Sequence, residues 1–396
     1  MRLLRDVLPP LSVAALISLV PGYLIAANGD LWNRVPGLLV LVPALIGMRG
    51  NVFGSLASRL STELQTAKHN RNTMARLLTF LDQYIMVEVL LLSAALAVMS
   101  RVFHGDAVDL HDVMFNSLVN GVISGSLMLI ATKFVVASAV WMHIDPDNVA
   151  PIVVTSLGDT ITIPTILVIC NLLLDYSNYF AQSVIMLLIT ALAIGGTVRL
   201  WRREAKFAPM LAQRLPVLLC CMLASFFSGL VMERLLSTEE RVSNFLVLVP
   251  LMNSQGGSVG SCVSSRLSTR QQRAVLRRRD VDDDDDADGN DDDDSPSLSH
   301  DYFDVLQQTF VLIAAVSVVL SCVALLFFAH LFSSWTHMLA VMFTMAVVLT
   351  VTSTAIALLA IEFSSRFGLH PANVTIPIVC AVMDAVASIA FFVLIS

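Results

Sequence analysis

Residues 43–62 read PALIGMRGNVFGSLASRLST, and residues 250–269 read PLMNSQGGSVGSCVSSRLST. The two stretches align without gaps and agree at eight of twenty positions, including the whole run SRLST. In a second pair, residues 145–159 read DPDNVAPIVVTSLGD and residues 370–384 read HPANVTIPIVCAVMD, again with matching Pro, Asn, Val and a final Asp. Two matches in the same order, 207 and 225 residues apart, predict a chain built from two related halves.

The chain as a whole is far more apolar than a soluble domain. Of its 396 residues, 56% are hydrophobic and only 14% are charged, whereas soluble domains carry about 25% charged residues. Apolar stretches recur that are long enough for a helix to cross a hydrocarbon core about 30 Å thick. The short alternating strands of a membrane β-barrel are not apparent in the sequence. The composition therefore predicts an all-α, polytopic membrane protein.

The apolar stretches divide the chain into about eleven transmembrane helices. We expect a first five-span repeat at residues 1–176, a connecting span with a basic loop at 177–206, and a second five-span repeat at 207–396. Because one extra span restores the orientation of the second unit, the repeats should be parallel and related by an axis along the membrane normal. The predicted spans lie near residues 8–27, 35–58, 83–103, 113–142, 148–174, 178–198, 211–236, 242–265, 304–330, 335–363 and 371–395.

The distribution of charge outside these spans predicts the orientation. On the side of the N-terminus lie 18 Lys and Arg residues, against four on the other side. Cytoplasmic loops carry the excess of positive charge, so we expect a cytoplasmic N-terminus and an extracytoplasmic C-terminus. A polar loop at about 268–300, with eleven aspartates between Asp280 and Asp294, should be disordered and cytoplasmic. It could sense or concentrate divalent cations, but we favour a solvated linker.

Asp159 and Asp384 are the residues most indicative of chemistry. Each lies fourteen positions after the start of its repeated segment, which is about 21 Å along a helix. A carboxylate at this depth is costly and usually faces an interior ion or proton path. If the two related helices line one axis, the carboxylates converge and repel each other unless a cation lies between them. Structural aspartates capped by Ser or Thr hydroxyls are the alternative.

Magnesium suits two such carboxylates. Mg²⁺ prefers oxygen ligands and keeps several of its waters. The six cysteines form no CxxC or His-spaced group, which argues against zinc or copper. Asp159 and Asp384 are therefore the predicted metal ligands. Further pore-lining or entrance candidates are Gly50, Asn51, Gly257, Ser258, Asp145, Asp147, Asn148 and Asn373.

Arg49 is unusual beside a cation path because it lies within a predicted span. We expect it to pair with Glu88 or with a helix end. Asp145 and Asp147 add negative charge in the first half only, so the entrance should be asymmetric.

The segments PALIGMRGN, ASRLST, PLMNSQGG, SSRLST, DPDN and HPAN together resemble the MgtE-type magnesium transporters, in particular the solute carrier family 41 branch. Members of that branch carry two five-span units in one polypeptide, whereas bacterial relatives form homodimers. The resemblance implies a magnesium pore between the halves, with Asp159 and Asp384 in the places of the acidic residues that hold the hydrated ion. The chain departs from the pattern at Ser258, where the family usually has Asn, and at His370 and Ala372, which replace acidic positions.

Taken together, the sequence predicts a transporter of divalent cations, with Mg²⁺ as the transported ion and no bound cofactor. The predicted partners are membrane lipids and, in a sodium-coupled exporter, Na⁺; nucleic acid is not expected. An internal pseudo-dimer needs no second chain, so a monomer suffices. An intramembrane metal-dependent enzyme is disfavoured because no nucleophile or HExxH motif accompanies the aspartates. A non-transporting Mg²⁺ sensor built on the Asp-rich loop is the remaining alternative.

Overall fold

The computed structural model describes residues 2–28, 38–66, 71–104, 109–175, 178–205, 207–236, 248–283, 298–323, 326, 334–367, 369 and 371–395. Within these ranges the chain forms eleven long α-helices and no β-strand. They are α1 (Arg2–Ala27), α2 (Leu38–Thr66), α3 (Arg71–His104), α4 (Leu110–Trp141), α5 (Pro146–Asp175), α6 (Tyr179–Arg203), α7 (Phe207–Leu236), α8 (Leu248–Asp283), α9 (Leu298–Val323), α10 (Trp335–Arg366) and α11 (Pro371–Ile395).

Eight of the described helices are long and apolar enough to cross a membrane, namely α1, α3 to α7, α10 and α11. The prediction of an all-α polytopic membrane protein is confirmed. Helix α9 has a shorter apolar stretch, Val311–Val323. Helices α2 and α8 carry the repeated Gly- and Ser-rich segments, which lowers their hydropathy. Their serines are nevertheless buried, so other helices rather than lipid surround these two segments.

Matching helices make matching contacts in the two repeats. Helix α2 packs on α3, α4 and α5, as α8 packs on α9, α10 and α11. The turn from α4 to α5 also has a counterpart: the amide of Ile144 donates to the Ala139 carbonyl (3.0 Å), and 225 residues later Leu369 donates to Ser364 (2.9 Å). Positions 225 residues apart are therefore structurally equivalent in these hairpins.

The first helix of each repeat packs against both repeats. Helix α1 contacts α8 and α9 of the second repeat, and α7 contacts α2 and α3 of the first. Leu11 and Ala14 of α1 belong to the hydrophobic core of the second repeat, whereas Met222 and Phe226 of α7 belong to that of the first. Each core therefore needs a helix from the other half, and the repeats form one interleaved bundle.

Helix α8 continues to Asp283, so residues 268–283 are helical and differ from the predicted disordered loop. The segment between Arg270 and Arg279 is rich in Arg, Gln, Ala and Leu, which favour helix. The remainder of the Asp-rich segment, residues 284–297, lies outside the described residues.

Candidate functional site

A cavity lies where α2, α5, α8 and α11 meet beside the end of α1, so both repeats contribute to its wall. It is small, with a volume of about 50 Å³, and it opens to solvent at its mouth. Four of the predicted site residues line it: Asp159, Asp384, Gly50 and Gly257. The other lining residues are Ile25, Val42, Pro43, Ile46, Gly47, Thr155, Val249, Pro250, Asn253, Ser254 and Cys380.

Asp159 presents an unsatisfied carboxylate to this cavity. It lies in the middle of α5 with 6% of its surface exposed. Among the described residues, no group donates a hydrogen bond to it. Its negative charge is repelled by that of Asp384. A buried carboxylate without donors is costly, so this position favours a bound cation.

Asp384 is held more firmly than its counterpart. The hydroxyl of Ser225 on α7 donates to its Oδ2 at 3.0 Å. Gly47 of α2 lies directly against this pair, because a Cβ added there would be 2.6 Å from Ser225 Oγ and 2.8 Å from Asp384 Oδ2. The absence of a side chain at position 47 therefore lets α2 approach the carboxylate.

Gly50 leaves open space beside Asp159. A Cβ added to Gly50 would meet no atom of the described residues within 4 Å, and one added to Gly257 would be 3.6 Å from Cys380 Sγ. Helix α5 approaches closely here, since a Cβ on Gly158 would lie 3.6 Å from the Gly50 amide nitrogen. The two glycines keep the cavity wide next to the carboxylates.

Hydrogen bonds tie the two SRLST segments together at the far ends of α2 and α8 from Pro43 and Pro250. Asp147, near the start of α5, accepts from Ser61 Oγ at 2.6 Å and from Ser265 Oγ at 2.7 Å. The Thr62 and Thr269 hydroxyl oxygens lie 2.9 Å apart. We call Asp147 with these four residues the SRLST seam. It joins both repeats below the cavity.

Asp147 is only 2% exposed. Burial raises the pKa of its carboxyl above the ordinary value, and the hydrogen bonds from Ser61, Ser265 and Thr269 act in the opposite direction. Asp145 accepts a hydrogen bond from the Asp147 backbone amide at 3.1 Å. Asp145 thus supports the start of α5, and neither carboxylate reaches the cavity wall described above.

The sequence of this bundle matches a known family twice. The family model MgtE, described as a divalent cation transporter, matches residues 42–169 and again residues 249–394. Together these ranges cover more than half of the chain. The chain belongs to the MgtE family. The first match extends from α2 into α5 and the second from α8 into α11, so this MgtE protein contains the family's unit in duplicate.

Curated relatives of this MgtE protein belong to solute carrier family 41, which confirms the predicted branch. Member 3 from Mus musculus is 28% identical over 253 residues, covering 60% of this chain and 50% of the relative. Member 2 is 26% identical over 254 residues in Gallus gallus and 25% in Homo sapiens, covering 62% of this chain and 44% of each relative. The chain spans about half the length of the curated relatives it matches. No solved structure matches it. The family to which the chain belongs is described as one of divalent cation transporters, and that description names no enzymatic activity.

The remaining candidates are not among the residues that line the cavity of the MgtE bundle. Asn51 is buried, and neither of its side-chain amide atoms has a hydrogen-bond partner within the described ranges. The Ser258 hydroxyl lies 3.3 Å from Thr155 Oγ1 and 3.3 Å from the Ile152 carbonyl oxygen. Each is one residue beyond a lining glycine, a rotation of about 100° around the helix. Asn373 Oδ1 lies 3.4 Å from Arg214 Nη1 and is 2% exposed. The side chain of Asn148 lies outside the described residues.

The expected pairing of Arg49 with Glu88 is wrong. Glu88 instead binds Arg214 of α7, whose Nη2 is 2.9 Å from Oε2 and whose Nε is 3.0 Å from Oε1. Tyr84 also donates to Glu88 Oε1 at 3.0 Å. Arg49 donates from Nε to Ser124 Oγ at 2.9 Å. Glu88 therefore joins α3 to α7 and is not available to Arg49.

Ser225 is the site residue that sequence reasoning missed. It lies 207 residues after Ser18, the same offset as the first repeated segment, and Pro216 and Gly229 follow Pro9 and Gly22 at this offset. Extending the alignment of the repeats into α1 and α7 would have shown that Ser225 is the counterpart of Ser18. The alignment would not have shown that the two serines form different hydrogen bonds. Ser18 donates to the Ala14 carbonyl within its own helix, whereas Ser225 donates to Asp384.

Proposed function

We propose that the chain moves Mg²⁺ across a membrane through the cavity between its repeats, with Asp159 and Asp384 holding the hydrated ion. The observation that carries this proposal is that equivalent carboxylates from the two repeats line one cavity. Membership of a family of divalent cation transporters supports the class of substrate.

The chemistry of the wall favours a hydrated hard cation. The Ser254 hydroxyl and the Asn253 amide line the cavity together with the two carboxylates. These oxygen groups can bind the waters that Mg²⁺ retains. No group of three or more His, Cys, Asp or Glu side chains suited to a metal occurs among the described residues. A softer ion stripped of its water would need such a cluster. The site therefore suits recognition through water rather than a closed protein cage.

The shape of the pathway favours access from one side at a time. Pro43 and Pro250, which line the cavity, lie near the beginnings of α2 and α8, while the SRLST seam joins the same helices near the opposite end. The excess of Lys and Arg predicts that the seam faces the cytoplasm. In this proposal the cavity is open to the extracytoplasmic side, and transport requires the seam to part.

Flux through purified protein tests the proposal. Mg²⁺ entry into proteoliposomes is recorded for the wild type and for an Asp159→Asn, Asp384→Asn variant, with and without a Na⁺ gradient. We expect flux to be lost in the variant at unchanged size-exclusion profile, because both negative charges are removed from the path. Asp109→Asn is the control, since it makes the same chemical change at an exposed N-cap that Asn also suits.

The flux measurements distinguish a passive path, a sodium-coupled exchanger and a sensor from one another. Unchanged flux in the double variant would overturn the pathway. Dependence of wild-type flux on the Na⁺ gradient would indicate an exchanger, whereas flux without it would indicate a passive path. Deletion of residues 280–294 should leave flux intact, and loss of flux there would favour a sensing function for the Asp-rich segment.

A further inference from the structure

Arg49 has an unsatisfied charge in the interior of the first repeat. Its side chain is fully buried on α2. Nε donates to Ser124 Oγ at 2.9 Å, but Nη1 and Nη2 have no hydrogen-bond partner in the described part of the chain. Among the described residues, no carboxylate pairs with it. Arginine does not lose its proton in proteins, so the positive charge requires compensation.

The side of α4 that faces Arg49 is polar. Ser124 Oγ accepts from Arg49 and donates to the Asn120 carbonyl at 2.6 Å. Asn120 lies one turn earlier on the same face. It is fully buried, and its amide nitrogen and oxygen have no hydrogen-bond partners among the residues that the structure describes. The side-chain amide of Asn120 therefore offers an N–H donor one helical turn from Ser124, which binds the guanidinium of Arg49.

The second repeat fills the equivalent region with apolar side chains. At the offsets of the two repeated segments, Gly256 replaces Arg49, Leu349 replaces Ser124, Met345 replaces Asn120 and Met383 replaces Gly158. Leu349, Met345 and Met383 are fully buried. A Cβ on Gly256 would lie 2.8 Å from Met383 Cε and 3.3 Å from Leu349 Cδ2.

The two repeats also differ in which of the two packed helices carries the large side chain. In the first repeat Arg49 extends from α2 beside Gly158 of α5, where an added Cβ would lie 3.5 Å from the Arg49 Cβ. In the second repeat the large side chain is Met383 of α11. Since an apolar solution of this packing exists within the same chain, packing alone does not account for a charged group at position 49.

We infer that Arg49 and Asn120 bind a small monovalent inorganic anion, of which chloride is the probe. One negative charge balances one guanidinium, and the free N–H groups of both side chains supply donors. A halide loses its hydration more readily than a divalent oxyanion does, which suits a region enclosed by helices. This anion site is distinct from the cation cavity, whose wall holds the adjacent Gly50.

Thermal unfolding of the purified protein tests this inference independently of transport. A ligand that binds only the folded state raises the unfolding temperature with its concentration. Replacing gluconate by chloride at constant ionic strength should raise the wild-type unfolding temperature by several degrees, in a saturable manner, and bromide should act similarly. Arg49→Met should lose this response. Arg366→Gln, which alters an exposed arginine, should keep it.

A second variant copies the packing of the other repeat. Arg49→Gly, Asn120→Met, Ser124→Leu and Gly158→Met together install side chains that already coexist in the second half, which protects the fold. The variant should unfold at the same temperature in chloride and gluconate. A wild type insensitive to chloride would overturn the inference, as would a chloride response that persists in this variant. Neither result depends on whether Asp159 and Asp384 carry Mg²⁺.

Discussion

Thr62 and Thr269 occupy the same position in the two repeats, and their hydroxyl oxygens lie 2.9 Å apart. Equivalent residues of two related units meet each other only near the axis that relates them. The pseudo-two-fold axis therefore passes between α2 and α8 at this point. Asp147 breaks the symmetry, because it accepts hydrogen bonds from both helices and its counterpart in the second repeat is Ala372.

Cysteines at positions 62 and 269 should form a disulfide that closes the pathway. The short distance between the hydroxyls is compatible with the Cβ separation of about 3.5–4.5 Å that a disulfide needs. The Thr62→Cys, Thr269→Cys variant, with exposed Cys220 and Cys322 replaced by serine, should lose Mg²⁺ flux on oxidation and regain it on reduction.

The single-cysteine variants provide the matched control for this cross-link. They should show no change in flux on oxidation. Full flux through a quantitatively cross-linked protein would mean that the SRLST seam does not need to part during transport.

The hydrogen bond from Ser225 should matter more than its counterpart in the other repeat. Ser225→Ala removes the donor to Asp384, and hydrogen bonds to charged groups contribute about 1.5–3 kcal/mol. We expect the Mg²⁺ concentration for half-maximal flux to rise several-fold, because the carboxylate loses its orientation. Ser18→Ala, which removes only a bond within α1, should leave this concentration unchanged. Equal effects of the two substitutions would contradict the assigned role.

The repeat explains why part of the site could be predicted from sequence. Asp159 and Asp384 end matched segments, so the alignment alone makes them equivalent positions, and both line one cavity. Gly50 and Gly257 follow from the same alignment. The role of the two aspartates as ion ligands stays a prediction, as do the predicted domain boundaries and the orientation of the termini.

Other features depend on contacts that no local pattern reveals. Glu88 pairs with Arg214, which lies 126 residues away in the other repeat, and the sequence offered Arg49 as an equally charged partner. The contacts of α1 and α7 with the opposite repeat are likewise not apparent in the sequence, because both helices are apolar along most of their length. The serines of the repeated segments lower the hydropathy of α2 and α8, although these serines are buried among other helices.

Gly47 and Gly50 should respond differently to the same added methyl group. Gly47→Ala would place Cβ against Ser225 Oγ and Asp384 Oδ2, so we expect both a lower unfolding temperature and a loss of flux. Gly50→Ala meets nothing within 4 Å, and it should preserve stability while reducing flux by narrowing the cavity. Unfolding temperature and flux measured on both variants check this, and a destabilised Gly50→Ala would contradict the open space assigned to that residue.

The Glu88–Arg214 ion pair should contribute strongly to holding the repeats together. Their side chains are 0% and 1% exposed, and Arg214 also donates to Ser55 Oγ at 2.8 Å. Removing one member of a buried pair leaves an uncompensated charge, which costs about 3–5 kcal/mol. Glu88→Gln and Arg214→Met should each lower the unfolding temperature in detergent markedly.

A double variant distinguishes destabilisation by an unpaired buried charge from destabilisation by lost packing. Glu88→Gln combined with Arg214→Met removes both charges, so it should unfold at a higher temperature than the Arg214→Met variant, in which Glu88 keeps its charge without its ion-pair partner. The exposed pair Glu362–Arg366 provides the control, because surface pairs contribute only about 0–1 kcal/mol and Arg366→Gln should change little. If the double variant is no more stable than Arg214→Met, packing across α3 and α7 rather than charge pairing dominates at this contact.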